Sequence, residues 1–196
     1  GAVRGGIPKP LERSSVVSQS EAPWGVVEGN VFDVTILRGR AVLPDGTKRV
    51  DIGISGGRIQ AIEEDLSNAA SKGQIDAQGL MVLPGLVDMH THFHLPVGGG
   101  RYSEAFETGT RGAIRGGVTT VVDFADPDDG GILSGLEARR QEVGLSWCDY
   151  SFHCTLKGWP KLRSEFPSAV RAGVSTFKVF TTYDDRGMKS TTEELR

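Results

Sequence analysis

The 196-residue chain carries 22 Lys and Arg against 25 Asp and Glu, a formal charge of −3 with both signs interspersed, so it offers no basic footprint for nucleic acid. No apolar run approaches the ~18 residues needed to cross a membrane as a helix. Two cysteines, Cys148 and Cys154, without a secretory leader read as the mark of a reduced, cytoplasmic protein, with one disulfide as the formal alternative.

Residues 1–30 lack sustained periodicity and are scattered with Gly, Pro and Ser, which predicts a flexible N-terminal tail. From Val31 the texture changes. Asp33 to Leu37, Lys48 to Ile54 and Arg58 to Ile62 are short, β-branched runs. Pro44-Asp45-Gly46 and Ser55-Gly56-Gly57 read as hairpin breaks between them. Gln74 to Asp76 and Leu80 to Leu83 continue the pattern, so residues 31–83 are expected to form a small all-β unit.

Strands and helices then alternate. Gly85 to His92 is a strand, and Ser103 to Ile114 a helix with Ser103 as N-cap, ended by Gly116-Gly117. Thr119 to Phe124 follows as a strand, Ser134 to Val143 as a helix, and Asp149 to Thr155 as a strand. Lys161 to Arg171 is a third helix, Ser175 to Thr181 a fourth strand, and Thr191-Thr192-Glu193-Glu194 opens a fourth helix. Such alternation with apolar strands implies βαβ units on a parallel sheet, the α/β class. Four such units are about half of a (β/α)8 barrel, which typically needs about 250 residues. Residues 84–196 are therefore read as the N-terminal part of a TIM-type barrel, truncated after about four βα units.

In a barrel of this kind the chemistry gathers at the C-terminal ends of the strands. His90 and His92, two residues apart at the end of the first strand, project to one face, and imidazole is a common ligand for zinc. Lys178 lies in the fourth strand between Phe177 and Val179. Burial disfavours its charged form. A neutral amine can take up carbon dioxide as a carbamate, whose two oxygens can bridge metals roughly 3.5–4 Å apart.

Four stretches carry a resemblance. Pro84-Gly85-Leu86-Val87-Asp88-Met89-His90-Thr91-His92 resembles the signature of the amidohydrolase superfamily. Residues 108–124, Cys148 to His153, and Phe177 to Tyr183 resemble its dihydropyrimidinase and hydantoinase branch in particular, and the similarity extends from about residue 31 to 196, beginning with the β-sandwich these enzymes build beside the barrel. The resemblance implies that His90 and His92 bind the more buried of two divalent metals, usually zinc. It implies that Lys178, as a carboxylated lysine, bridges both metals, and that Tyr183 binds substrate and stabilises the oxyanion on the attacked carbonyl. The implied reaction opens a dihydropyrimidine or hydantoin ring to an N-carbamoyl amino acid. Relatives are commonly homotetramers acting on small cyclic amides, with no nucleic-acid or membrane partner.

Two positions depart from the pattern or add to it. Dihydroorotases carry an arginine two residues after the histidine pair, whereas this chain has His94, so a carboxylated ring loses its expected partner. Hydantoinases tend to have Asp or Gln there, so His94 departs from them as well and is expected to point at solvent. His153, inside the third strand, is expected to be a hydrogen-bonded core residue, Asp88 to orient the neighbouring site, and Asp123, Asp126, Asp128 and Asp129 to build turns and loops. The family pattern places two further histidines and a catalytic aspartate after Arg196, so the chain alone is expected to be inactive. The alternatives are a non-catalytic dihydropyrimidinase-like scaffold that has kept these residues, or a dihydroorotase or allantoinase.

Overall fold

Gly56 and Gly57 both adopt positive φ, 59° and 72°, between the paired residues Ser55 and Arg58. A two-residue turn between twisted strands demands that conformation, and glycine adopts it without steric cost. This hairpin belongs to the first of two compact units in the computed structural model, which describes residues 31–129, 131–157, 161–184 and 188–194. The tail expected over residues 1–30 lies outside the described residues.

The first unit is built of β1 (Val34–Leu37), β2 (Arg40–Leu43), β3 (Gly46–Arg49), β4 (Asp51–Ser55), β5 (Arg58–Glu63), β6 (Gln74–Asp76) and β7 (Met81–Val82). They form two small sheets, one ordered β5-β4-β1-β6 and the other β3-β2-β7. Phe32, Leu37, Ala61 and Leu66 form its buried cluster. The single strand expected from Lys48 to Ile54 is two strands, because Arg49 pairs with Arg40 in one sheet and Asp51 with Glu63 in the other. Strand β2 was not anticipated. The buried Asp51 carboxylate anchors this switch by accepting the amides of Arg38 at 2.6 Å and Leu66 at 2.9 Å.

The second unit holds β8 (Leu86–Asp88), a small hairpin of β9 (Pro96–Gly98) and β10 (Arg101–Tyr102), α1 (Phe106–Arg115), β11 (Val118–Ala125), α2 (Ile132–Val143), β12 (Asp149–Thr155), α3 (Phe166–Arg171) and β13 (Phe177–Lys178). Its four-stranded sheet is ordered β13-β12-β11-β8 and every pairing is parallel. Strand β11 alternates: Val121, Asp123 and Ala125 are buried, while Val122 and Phe124 between them are half-buried. Phe106, Ile132, Leu136, Phe152 and Cys154 belong to the core cluster. Phe106 is 1% exposed, and full burial of such a ring contributes about 1.5–3 kcal/mol. Leu86 and Val87 on the edge strand β8 are 53% and 57% exposed.

Element boundaries differ from the sequence expectation for local reasons. Helix α1 starts at Phe106 with Ala105 as N-cap, because the Ser103 hydroxyl is engaged elsewhere, donating to the His92 carbonyl and accepting from the Leu95 amide. Helix α3 starts at Phe166, five residues late, with Pro167 in its first turn, where a missing N–H costs nothing. The fourth strand pairs only over Phe177–Lys178. At Thr191 the expected helix start carries a reciprocal cap: Glu194 Oε2 accepts the Thr191 amide at 2.7 Å, and Thr191 Oγ1 accepts the Glu194 amide at 3.2 Å. Among the described residues no helix is long and apolar enough to cross a membrane.

Candidate active site

Only Leu86–Asp88 of the first predicted parallel strand lies in the ladder, so His90 and His92 stand just past its C-terminal end. The chain remains tied to β11 there, since the Thr91 amide donates to the Val122 carbonyl at 3.1 Å. Asp88 Oδ1 accepts the His90 amide at 3.0 Å. Phe93, next to His92, is held on every side. Its amide donates to Asp123 Oδ2 at 2.8 Å, its carbonyl accepts from the Arg139 guanidinium, and its ring packs on Phe106 at 4.9 Å. Gly109 gives that ring its space, because a Cβ there would collide with it.

These restraints bring the two imidazoles together. His90 Nε2 and His92 Nε2 are 3.2 Å apart, with ring centroids at 5.1 Å. Two nitrogens ligating one tetrahedral zinc at about 2.0–2.1 Å stand about 3.3–3.4 Å from each other. The observed spacing therefore fits a shared cation. Both imidazoles rest against Phe124, each at 4.8 Å between centroids. Lys178 Nζ lies 4.1 Å from the centre of the same ring, and 5.0 Å from that of Phe180. The structure thus gathers His90, His92 and Lys178 around one aromatic side chain at the C-terminal ends of three parallel strands. Burial, and then the positive charge of Lys178, push the His92 pKa below its ordinary 6.5, against the pull of Asp123. That favours the neutral imidazole, the form that binds metal. Among the described residues no three His, Cys, Asp or Glu side chains form a metal-holding cluster.

Tyr183 follows β13 with a left-handed φ of 63°, is 50% exposed, and packs edge-on against Phe180 at 6.0 Å. His94, also left-handed at 48°, is exposed and stacks on Tyr102 at 4.7 Å. His153 is half-buried and bonded through both ring nitrogens, Nδ1 to Thr176 Oγ1 at 2.6 Å and Nε2 to the Met89 carbonyl at 2.9 Å. A carbonyl only accepts, so Nε2 carries a hydrogen.

One residue at the site's foundation differs from the sequence expectation. Asp123 is a strand residue 1% exposed, not a loop aspartate, and it pairs with Arg139 of α2 at 3.3 Å. The available signal was its place in the alternation Val121, Asp123, Ala125, which puts a carboxylate on the helix-covered face where a cation has to meet it. Asp126 lies at the strand's end, accepting the Thr155 hydroxyl at 2.6 Å and pairing with Lys157.

Residues 81–196 match the amidohydrolase family. Over 154 residues the chain is 36% identical to a D-phenylhydantoinase of Escherichia coli (strain SE11), covering 76% of this chain and 33% of that protein. Over 162 residues it is 35% identical to a dihydropyrimidinase of Rattus norvegicus, covering 76% and 30%. Among solved structures, a D-hydantoinase from Bacillus sp. AR9 superposes with a TM-score of 0.74 at 32% identity, over 83% of this chain and 36% of that one. The chain thus spans about a third of the length of the relatives it matches. The family match covers more than half of the sequence, and the chain belongs to the amidohydrolase family.

Proposed function

We propose that the protein containing this chain hydrolyses the C–N bond of a small cyclic amide, a dihydropyrimidine or a hydantoin, to an N-carbamoyl amino acid. The observation that carries this reading is the 3.2 Å convergence of His90 and His92 beside Lys178 at the strand ends. The similarity to hydantoinases and a dihydropyrimidinase supports the substrate class. In this reading the chain forms a β-sandwich portion over residues 31–83 and the first half of a (β/α)8 barrel over residues 84–196, within a cytoplasmic homotetramer. It supplies only part of the site and is inactive alone.

His90 and His92 would hold one divalent ion, zinc by resemblance to the family, and Lys178, carboxylated by carbon dioxide, would join it to a second. When bound, such a pair of ions polarises the amide carbonyl and activates water. The protein's own residues do the positioning. Asp88 and Asp123 fix the backbone on either side of the histidines through their amide contacts. Phe124 keeps water from the inner faces of both imidazoles. The Tyr183 hydroxyl donates to the carbonyl oxygen as negative charge develops on it.

Assay of the metal-loaded protein on dihydrouracil and hydantoin tests this. Ring opening should stop with a chelator, return with zinc, and fall to background in Lys178→Ala. Intact rings with the wild-type protein would sink the function, and an active Lys178→Ala would remove the carbamate. Tyr183→Phe should lower kcat about 10²–10³-fold with little change in KM, the loss for one oxyanion donor. An unchanged kcat excludes Tyr183 from the mechanism.

A further inference from the structure

The candidate ligands lie at opposite edges of the parallel sheet: the histidines follow β8, Lys178 is in β13, and β11 and β12 run between. No single ladder bond therefore joins the segment of the imidazoles to that of the lysine. Phe124 touches all three side chains, and His153 hydrogen-bonds both segments. His153, on β12, bonds the carbonyl of Met89, the peptide leading into His90, at 2.9 Å, and the hydroxyl of Thr176, two residues before Lys178, at 2.6 Å. Its ring also packs against Phe124, 5.1 Å between centroids, on which both histidines and the lysine rest. A histidine satisfying itself in a core needs any two partners. These two belong to the segments whose separation defines the site.

We propose that His153 is a positioning residue, a strut that fixes the His90–His92 segment relative to Lys178 through Met89 and Thr176. It binds no metal, because both ring nitrogens are already engaged. The proposal deepens the metal-centre reading and rests on it for its consequence, but the strut itself can be read without metal.

The test compares His153→Phe, which keeps a ring against Phe124 and deletes both nitrogens, with Thr176→Val, which deletes the hydroxyl at nearly constant volume, and with Thr176→Ser, which restores it. Two quantities are measured: zinc affinity by competition with a chromogenic chelator, and amide hydrogen exchange at Thr91 in metal-free protein. In His153→Phe and Thr176→Val, zinc affinity should fall about tenfold. Thr91 exchange should quicken about fivefold in His153→Phe, the share of one hydrogen bond. Thr176→Ser should resemble wild type in both. Unchanged zinc affinity in His153→Phe and Thr176→Val, with only a lower melting temperature, overturns the strut. Wild-type protein that binds no zinc overturns the metal centre instead, and Thr91 exchange then decides the strut by itself: unchanged in His153→Phe, it fails.

Discussion

Among the described residues each unit buries one aspartate, and the two are solved differently. Asp51 in the β-rich unit is 5% exposed and accepts two backbone amides, those of Arg38 and Leu66. Asp123 in the β/α unit is 1% exposed and also accepts two amides, those of Phe93 and Phe124, but it meets the Arg139 guanidinium as well. Backbone dipoles suffice where the carboxylate only joins strand ends. Beside the histidines a full counter-charge is built in, and that same guanidinium also holds the Phe93 carbonyl. The difference shows where the fold spends its rigidity: on the peptide that follows His92.

Cutting the pair at Asp123 should show this most clearly. Asp123→Ala leaves the Phe93 amide without its acceptor and Arg139, which is 12% exposed, with the half-exposed Glu142 as its remaining ion pair, and breaking one side of a buried pair costs up to about 3–5 kcal/mol. Urea denaturation measures it, and replacing both members by apolar residues should recover a large part. A loss as small as that of Asp51→Ala would erase the contrast. Asp51→Ala leaves the Leu66 amide buried without its acceptor and should cost about 1–3 kcal/mol, with no effect on zinc binding.

A third buried group tests what burial does without a partner. Cys154 stands in register with Ala125, two residues along from Asp123, and desolvation raises its thiol from the ordinary 9.0 to about 11. A raised thiol stabilises the fold fully below the unfolded value and loses that contribution as pH climbs through the folded one. Stability should therefore drop by about 1.4 kcal/mol between neutral pH and pH 10, one pKa unit's worth. Cys154→Ala should remove this component, which denaturation curves at the two pH values will show.

Much of this was legible beforehand, for identifiable reasons. The strand from Asp149 to Thr155 is bounded as expected, its aromatic Tyr150 and Phe152 alternating with small and polar residues. His90 and His92 converge because a spacing of two keeps both on one face even where the ladder has ended. Ser103 was misread because a hydroxyl before an apolar run has the same appearance whether it caps the helix or reaches back to His92. Arg139 was invisible: a cation on a helix has no sequence mark telling it to fold under the strand and meet Asp123, sixteen residues away. The role of His153 as a link between segments needed three strands in place at once.

Phe124 has one more consequence. An aromatic ring carries negative charge density on its faces and attracts a cation set over them. Lys178 now lies 4.1 Å from the ring centre, as an ammonium would prefer. If Lys178 were carboxylated as proposed, the cation over the ring would become an anion, which the same quadrupole disfavours; the Phe124 face thus favours the lysine in its unmodified form.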